Sequence, residues 1–63
     1  MTKIRAGKYQ AYYRGILFTV EKADGYGWHV EMQKGRPSES KLLAVRGTRR
    51  EAMEEIREFL LTN

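Results

Sequence analysis

Hydrophobic and polar positions alternate in two stretches of the chain, residues 16–21 and residues 28–33. A period of two in β-branched and aromatic residues is typical of a half-buried strand. Between the two stretches, Asp24 and Gly25 have the composition of a turn, so the pattern predicts a hairpin. We expect one inner face to carry the apolar side chains of both strands, namely Ile16, Phe18, Val20, Trp28, Val30 and Met32.

A third apolar run and a helical pattern follow the hairpin. Residues 41–46 have the length of a strand, although their three large apolar side chains cannot all face one side. Thr48 and Glu51 have the spacing of a capping box, and apolar residues then recur at helical spacing. The pattern predicts a helix over residues 49–61. Its apolar stripe consists of Ala52, Met53, Ile56, Phe59 and Leu60.

These elements predict an α+β fold, a three-stranded antiparallel sheet packed against one C-terminal helix in the order β-β-β-α. The apolar stripe of the helix has only the inner face of the sheet to pack against. Residues 1–10 are polar, basic and without period, so we expect a flexible basic N-terminal arm followed by a single domain over residues 11–63. Gly15 interrupts the first strand run, which indicates a bulge or a close backbone approach.

The residue inventory limits the chemistry that this chain can perform. A length of 63 residues allows one domain at most, and 0 Cys excludes both a disulfide framework and a zinc site of the cysteine type. His29 is the only histidine, and Ser38 and Ser40 are predicted to lie one strand length away from it, too far to serve as its nucleophile. We therefore expect a protein that is not an enzyme and that uses no metal and no cofactor.

The pattern also bears on location and assembly. No apolar run approaches the roughly 20 residues of a membrane span, and residues 1–8 lack the apolar segment of a secretory signal. The absence of cysteine fits a reducing compartment, so we expect a cytoplasmic protein without a membrane partner. A chain this short buries only about 60% of its unfolded surface, which leaves a homodimer open as a further source of stability.

The charge favours an acidic partner. The formal net charge is +4 and the isoelectric point is about 9.7, values typical of many nucleic-acid-binding domains. Residues 1–47 hold nine Lys or Arg against four acids, whereas residues 48–63 hold three against four. Glu21 and Glu31 face outward on the sheet and oppose DNA binding there. The candidate phosphate contacts are Arg14, Lys34, Arg36, Lys41 and Arg46, with Lys3, Arg5 and Lys8 on the arm and His29 on the exposed face.

Part of the sequence resembles the plant ethylene-response-factor type of DNA-binding domain. The matching segments are Tyr13-Arg14-Gly15-Ile16, Trp28-His29-Val30-Glu31-Met32, and Gly47-Thr48 with Glu51-Ala52. That fold is shared by the amino-terminal arm-binding domains of phage and transposon integrases, which lay the exposed sheet face into the DNA major groove. The resemblance carries over Arg14 and Trp28, and it implies a small phage or bacterial DNA-binding module that uses its outer sheet face and basic loops.

A second set of segments is similar to HicB-like antitoxin domains. These segments are Phe18-Thr19-Val20-Glu21-Lys22, Asp24-Gly25-Tyr26, and Gly47-Thr48 with Glu51-Ala52-Met53-Glu54-Glu55-Ile56. This resemblance implies the same order of elements and a small toxin protein as the partner. The alternative to DNA binding is therefore a protein-binding module, antitoxin-like or a phage inhibitor of a host protein, which should expose a contiguous apolar patch.

Overall fold

A computed structural model describes residues 1–25 and 27–62, with the side chain of Pro37 left out, so Tyr26 of the predicted turn lies outside the described residues. One antiparallel sheet and one α-helix make up the fold. The elements are β1 (Thr2–Arg5), β2 (Lys8–Tyr13), β3 (Ile16–Ala23), β4 (Gly27–Gln33), a 3₁₀ turn (Pro37–Glu39), β5 (Ser40–Arg46) and α1 (Arg49–Thr62). Each strand pairs with the next, so the sheet order is β1-β2-β3-β4-β5.

The predicted three-stranded sheet is wrong, because the described sheet has five strands, although the fold is still α+β. The two additional strands are β1 and β2; they include residues 2–5 and 8–10 of the predicted flexible arm, and β2 continues to Tyr13. Tyr9 pairs with Val20, and Ala11 pairs with Phe18. These pairs extend the inner face with side chains that a free arm would leave in water, and burial of this kind stabilises the strands.

A two-residue turn, Arg14 and Gly15, joins β2 to β3. Both residues have positive φ, +52° and +76°, as a type I′ hairpin turn requires. The turn lets Tyr13 pair directly with Ile16. Gly15 is therefore a turn residue, and the predicted bulge does not occur at this position.

A bulge is found instead in β5. The pairing of β4 with β5 shifts between Val30 and Glu31, which leaves Leu43 as an extra residue. Leu43 packs against the core, whereas Leu42 and Val45 face outward with 59% and 39% of their surfaces exposed. The extra residue explains why no single period fits the apolar run of β5.

The core lies between α1 and the inner face of the sheet. Phe18 and Val20 are fully buried and pack in one cluster with Ala52 and Ile56 of α1. The ring of Phe59 meets Phe18 edge-on with centroids 5.8 Å apart. The predicted packing of the helix stripe on the inner face is confirmed for Ala52, Ile56, Phe59 and Leu60, whereas Met53 is 39% exposed. The helix lies mainly on β3, β4 and β5, and the inner face of β1 and β2 remains open beside it.

The helix begins directly after the predicted capping residue, Thr48. The Oγ1 atom of Thr48 accepts a hydrogen bond of 3.2 Å from the amide of Glu51 and donates one of 3.0 Å to the Glu51 carboxylate. The returning bond thus involves the hydroxyl of Thr48, whereas in a capping box it involves the backbone amide of the first residue. Within residues 1–25 and 27–62, no helix has the length and apolar character needed to cross a membrane.

Candidate nucleic-acid interface

Two of the candidate phosphate contacts hold α1 to the sheet. Arg14, in the turn between β2 and β3, donates a hydrogen bond of 2.6 Å to the carbonyl of Leu60. Arg46, at the end of β5, donates from Nε to Oε1 of Glu55 at 2.8 Å and forms a salt bridge with the same carboxylate. Each guanidinium would have to exchange a contact within the protein for a phosphate, which lowers the gain from binding.

The other three candidates lie around the connection between β4 and β5. Lys34 and Arg36 are exposed in the loop, and Lys41 is exposed at the start of β5. Lys34 and Lys41 line one surface together with Glu39, whose carboxylate offsets part of their charge. This surface therefore carries a smaller net positive charge than the count of Lys and Arg in the sequence suggested.

The outer face of the sheet has balanced charges among the described residues. Arg5 and Lys8 extend from β1 and β2, and Glu21 and Glu31 extend from β3 and β4. Arg5 forms a salt bridge with Glu21. His29 lies on the same face opposite Glu21 and is partly buried. A DNA duplex laid on this face would meet as many carboxylates as cations.

Basic and aromatic side chains converge instead beside α1, above the open inner face of β1 and β2. We call this depression the helix-side groove; it has an arginine end of about 760 Å³ and an apolar end of about 280 Å³. The arginine end is lined by Tyr9, Trp28, Arg49, Arg50, Met53, Glu54 and Arg57. The apolar end is lined by Met1, Tyr13, Arg14, Met53, Ile56, Arg57, Leu60 and Leu61.

All three arginines of α1 line this groove. Arg49, Met53 and Arg57 are four residues apart, so they lie one above the other on the same flank of the helix. Glu55 lies on the opposite flank, where it accepts hydrogen bonds from Arg46 of β5. The charges of the helix nearly cancel in sum, so the residue counts did not predict that its arginines lie on one side. The spacing of four residues was the signal for this arrangement.

Arg49 connects the helix to the floor of the arginine end. Its guanidinium carbon lies 4.7 Å from the ring centroid of Tyr9, and Nη1 donates a hydrogen bond of 2.5 Å to the Tyr9 hydroxyl. The rings of Tyr9 and Trp28 are 6.3 Å apart and tilted by 43°. Lys3 pairs with Tyr9 across β1 and β2, which places its side chain on the same face. Cations thus surround a partly exposed aromatic pair, a combination that grooves for single-stranded nucleic acid also use.

Exposed large hydrophobic side chains cluster at the apolar end. Met1, Tyr13, Met53 and Leu61 are exposed by 38%, 42%, 39% and 73%, and all four line this end. Met53 belongs to the helix stripe that was expected to be buried, but it lies at the boundary between the two ends of the groove. A cluster of this kind is typical of a surface that contacts another molecule.

No family model matches this chain, and no curated protein or solved structure matches it either. The resemblances to ethylene-response-factor domains and to HicB-like antitoxins therefore gain no support beyond the segments that carry them. Within the described residues, no group of three or more His, Cys, Asp or Glu is placed to hold a metal ion.

Proposed function

We propose that the protein binds nucleic acid in the helix-side groove. The observation that carries this proposal is the convergence of Arg49, Arg50 and Arg57 on a groove floored by Tyr9 and Trp28. Arginine recognises phosphate through charge-assisted hydrogen bonds, and aromatic rings accept the faces of bases. The proposal keeps nucleic acid as the ligand and moves its contacts from the outer face to the side of the sheet that carries the helix.

The electrostatics of the groove support this placement. Arg50 lies 3.7 Å from Glu54 in a pair whose side chains are 90% and 59% exposed. Exposed pairs of this kind contribute about 0–1 kcal/mol, so Arg50 can exchange the carboxylate for a phosphate at small cost. Arg57 is also exposed and lines both ends of the groove. Arg50 and Arg57 are therefore more accessible to phosphate than Arg14 or Arg46.

The proposal is tested by titrating the protein into fluorescently labelled oligonucleotides at a low and a high salt concentration. Each phosphate contact releases counterions, so the affinity should fall steeply as salt is added. Arg57→Gln should weaken binding at both concentrations without altering the circular dichroism spectrum. Absence of binding to every oligonucleotide at low salt contradicts the proposal.

The apolar end of the groove favours a second candidate function, the binding of an acidic protein segment. The exposed side chains of Met1, Tyr13, Met53 and Leu61 would contact apolar residues of that segment, and the neighbouring Arg57 would contact its carboxylates. A synthetic peptide that alternates glutamate and leucine is a suitable probe. Binding of this peptide at low salt, together with no binding of oligonucleotides, would replace the first candidate with the second.

The outer face favours a second copy of this chain as its partner. Ile4 and Tyr12 are exposed there by 50% and 67%. The cations of β1 and β2 balance the carboxylates of β3 and β4, so two copies related by a two-fold axis offer each other opposite charges. Sedimentation equilibrium should show a dimer for the wild type and a monomer for Tyr12→Glu. A wild type that remains monomeric at every concentration contradicts a dimer on this face.

A further inference from the structure

The floor of the arginine end offers ring faces at an angle to one another. Tyr9 and Trp28 are both partly buried, and the tilt of 43° between their planes keeps them from covering each other. Arg49 lies over the ring of Tyr9, so a base would stack on the ring of Trp28 or on the guanidinium above Tyr9. We call Tyr9, Trp28 and Arg49 the stacking platform. Because hydrogen bonding and packing already position these groups, a ligand would not have to order them on binding.

Duplex and single-stranded nucleic acids would use this site differently. In a duplex the bases are paired and stacked on one another, so a groove of this kind would contact phosphates through its rim and leave the floor unused. In a single strand an unpaired base can leave its neighbours and stack on an aromatic ring or on a guanidinium plane. Stacking of this kind contributes about 1–3 kcal/mol per base. The position of the platform on the floor therefore favours the single strand.

We propose that the helix-side groove selects single-stranded over duplex nucleic acid, with one base on the stacking platform and phosphates at Arg50 and Arg57. This inference rests on the proposed function and specifies the strand state of the ligand. Arg50 and Arg57 are two turns apart, which is about 10 Å along the helix axis, so they contact different phosphates of the strand. The phosphate at Arg57 then lies near the apolar end of the groove, which Arg57 and Leu61 both line.

Trp28 provides the readout, because it is the only tryptophan of the chain and it lies on the platform. An oligothymidylate of about 12 nucleotides, a length within the site sizes of such grooves, is compared with a duplex of equal length at the same salt concentration. The single strand should change the fluorescence of Trp28 and bind at least about fivefold more tightly than the duplex, as one stacked base predicts. Equal affinities, or single-strand binding with no change in Trp28 fluorescence, would overturn the inference.

A matched pair of tyrosine variants separates the two faces of the sheet. Tyr9→Leu removes a ring of the platform and should weaken single-strand binding by about tenfold while leaving duplex binding unchanged. Tyr12→Leu removes a ring from the same strand on the outer face and should have no effect. Tyr9→Phe keeps the ring and loses only the hydroxyl bonded to Arg49, so it should lose much less affinity than Tyr9→Leu. An equal loss in Tyr9→Leu and Tyr12→Leu contradicts the platform.

The outcomes distinguish this inference from the function on which it rests. If neither oligonucleotide binds at low salt, the proposed function itself is contradicted. Duplex binding as tight as single-strand binding leaves nucleic-acid binding in place and removes only the selection of a single strand. A polyglutamate peptide serves as the control for charge. If it binds as tightly as the oligothymidylate, charge alone explains the binding and the stacking platform is contradicted.

Discussion

The guanidinium of Arg14 donates a hydrogen bond of 2.6 Å to the backbone carbonyl of Leu60, which lies 46 residues further along the chain. The last four carbonyls of a helix lack partners within the helix, and their partial negative charge favours a cation. The last turn of α1 contains no basic residue, so Arg14 supplies this cation from the turn between β2 and β3. A residue that the sequence offered as a phosphate contact therefore attaches the end of the helix to the sheet.

Arg14→Gln should lower the free energy of unfolding by about 1 kcal/mol, because it removes both the charge and the hydrogen bond at the helix end. Glutamine leaves the cost of the positive φ at this position nearly unchanged, so the difference reports on the side chain. Urea denaturation measures the effect, which should shrink when salt screens the helix dipole. A variant as stable as the wild type would show that the contact with Leu60 does not hold the helix.

Gly27 begins β4 beside the end of β5, where a side chain has no room. A Cβ atom built at this position lies 2.3 Å from the carbonyl oxygen of Arg46, and φ is +76°. Gly27→Ala should therefore lower the free energy of unfolding by about 3 kcal/mol, through backbone strain and displacement of β5.

Gly25→Ala is the matched control for this substitution. Gly25 has a φ of +75°, and none of the described atoms lies within 4 Å of an added Cβ. Alanine at this position should cost only the backbone strain, about 1 kcal/mol. If thermal or urea denaturation gives the same loss for both variants, the close approach of β4 to Arg46 plays no part in stability.

Arg46→Gln should affect stability and leave ligand binding unchanged. The salt bridge between Arg46 and Glu55 joins β5 to α1, with side chains that are 41% and 23% exposed. Partly exposed pairs of this kind are worth about 1 kcal/mol at most, so the variant should remain folded with a slightly lower urea midpoint. Oligonucleotide affinity should match that of the wild type. A marked loss of affinity would show that Arg46 does contact the ligand.

The helix and the hairpin of β3 and β4 could be predicted from the sequence because their signals are local. The capping box at Thr48 and the alternation around Phe18 each fall within a few residues. The strands β1 and β2 were missed because their alternation is carried by long polar and aromatic side chains, as at Lys8 and Tyr9. The apolar part of such side chains packs on the sheet, although the residues count as polar in a hydropathy pattern.

The candidate site depended on information that the residue counts do not contain. The helix has a small net charge, yet Arg49 and Arg57 lie on one flank and Glu55 on the other. Helical spacing alone would have shown this separation. The position of the groove, in contrast, follows from the open inner face of β1 and β2, and this face exists because these strands, which include most of the predicted arm, extend the sheet.

The salt dependence of oligonucleotide binding tests the location of the site most directly, in the wild type, Arg57→Gln and Arg36→Gln. Both arginines are exposed and each variant removes one charge, but Arg57 lines the helix-side groove and Arg36 lies in the loop before β5. For Arg57→Gln, the slope of log affinity against log salt should become shallower by about 1, whereas Arg36→Gln should retain the slope of the wild type. A shallower slope in Arg36→Gln, with no change in Arg57→Gln, would contradict binding in the groove.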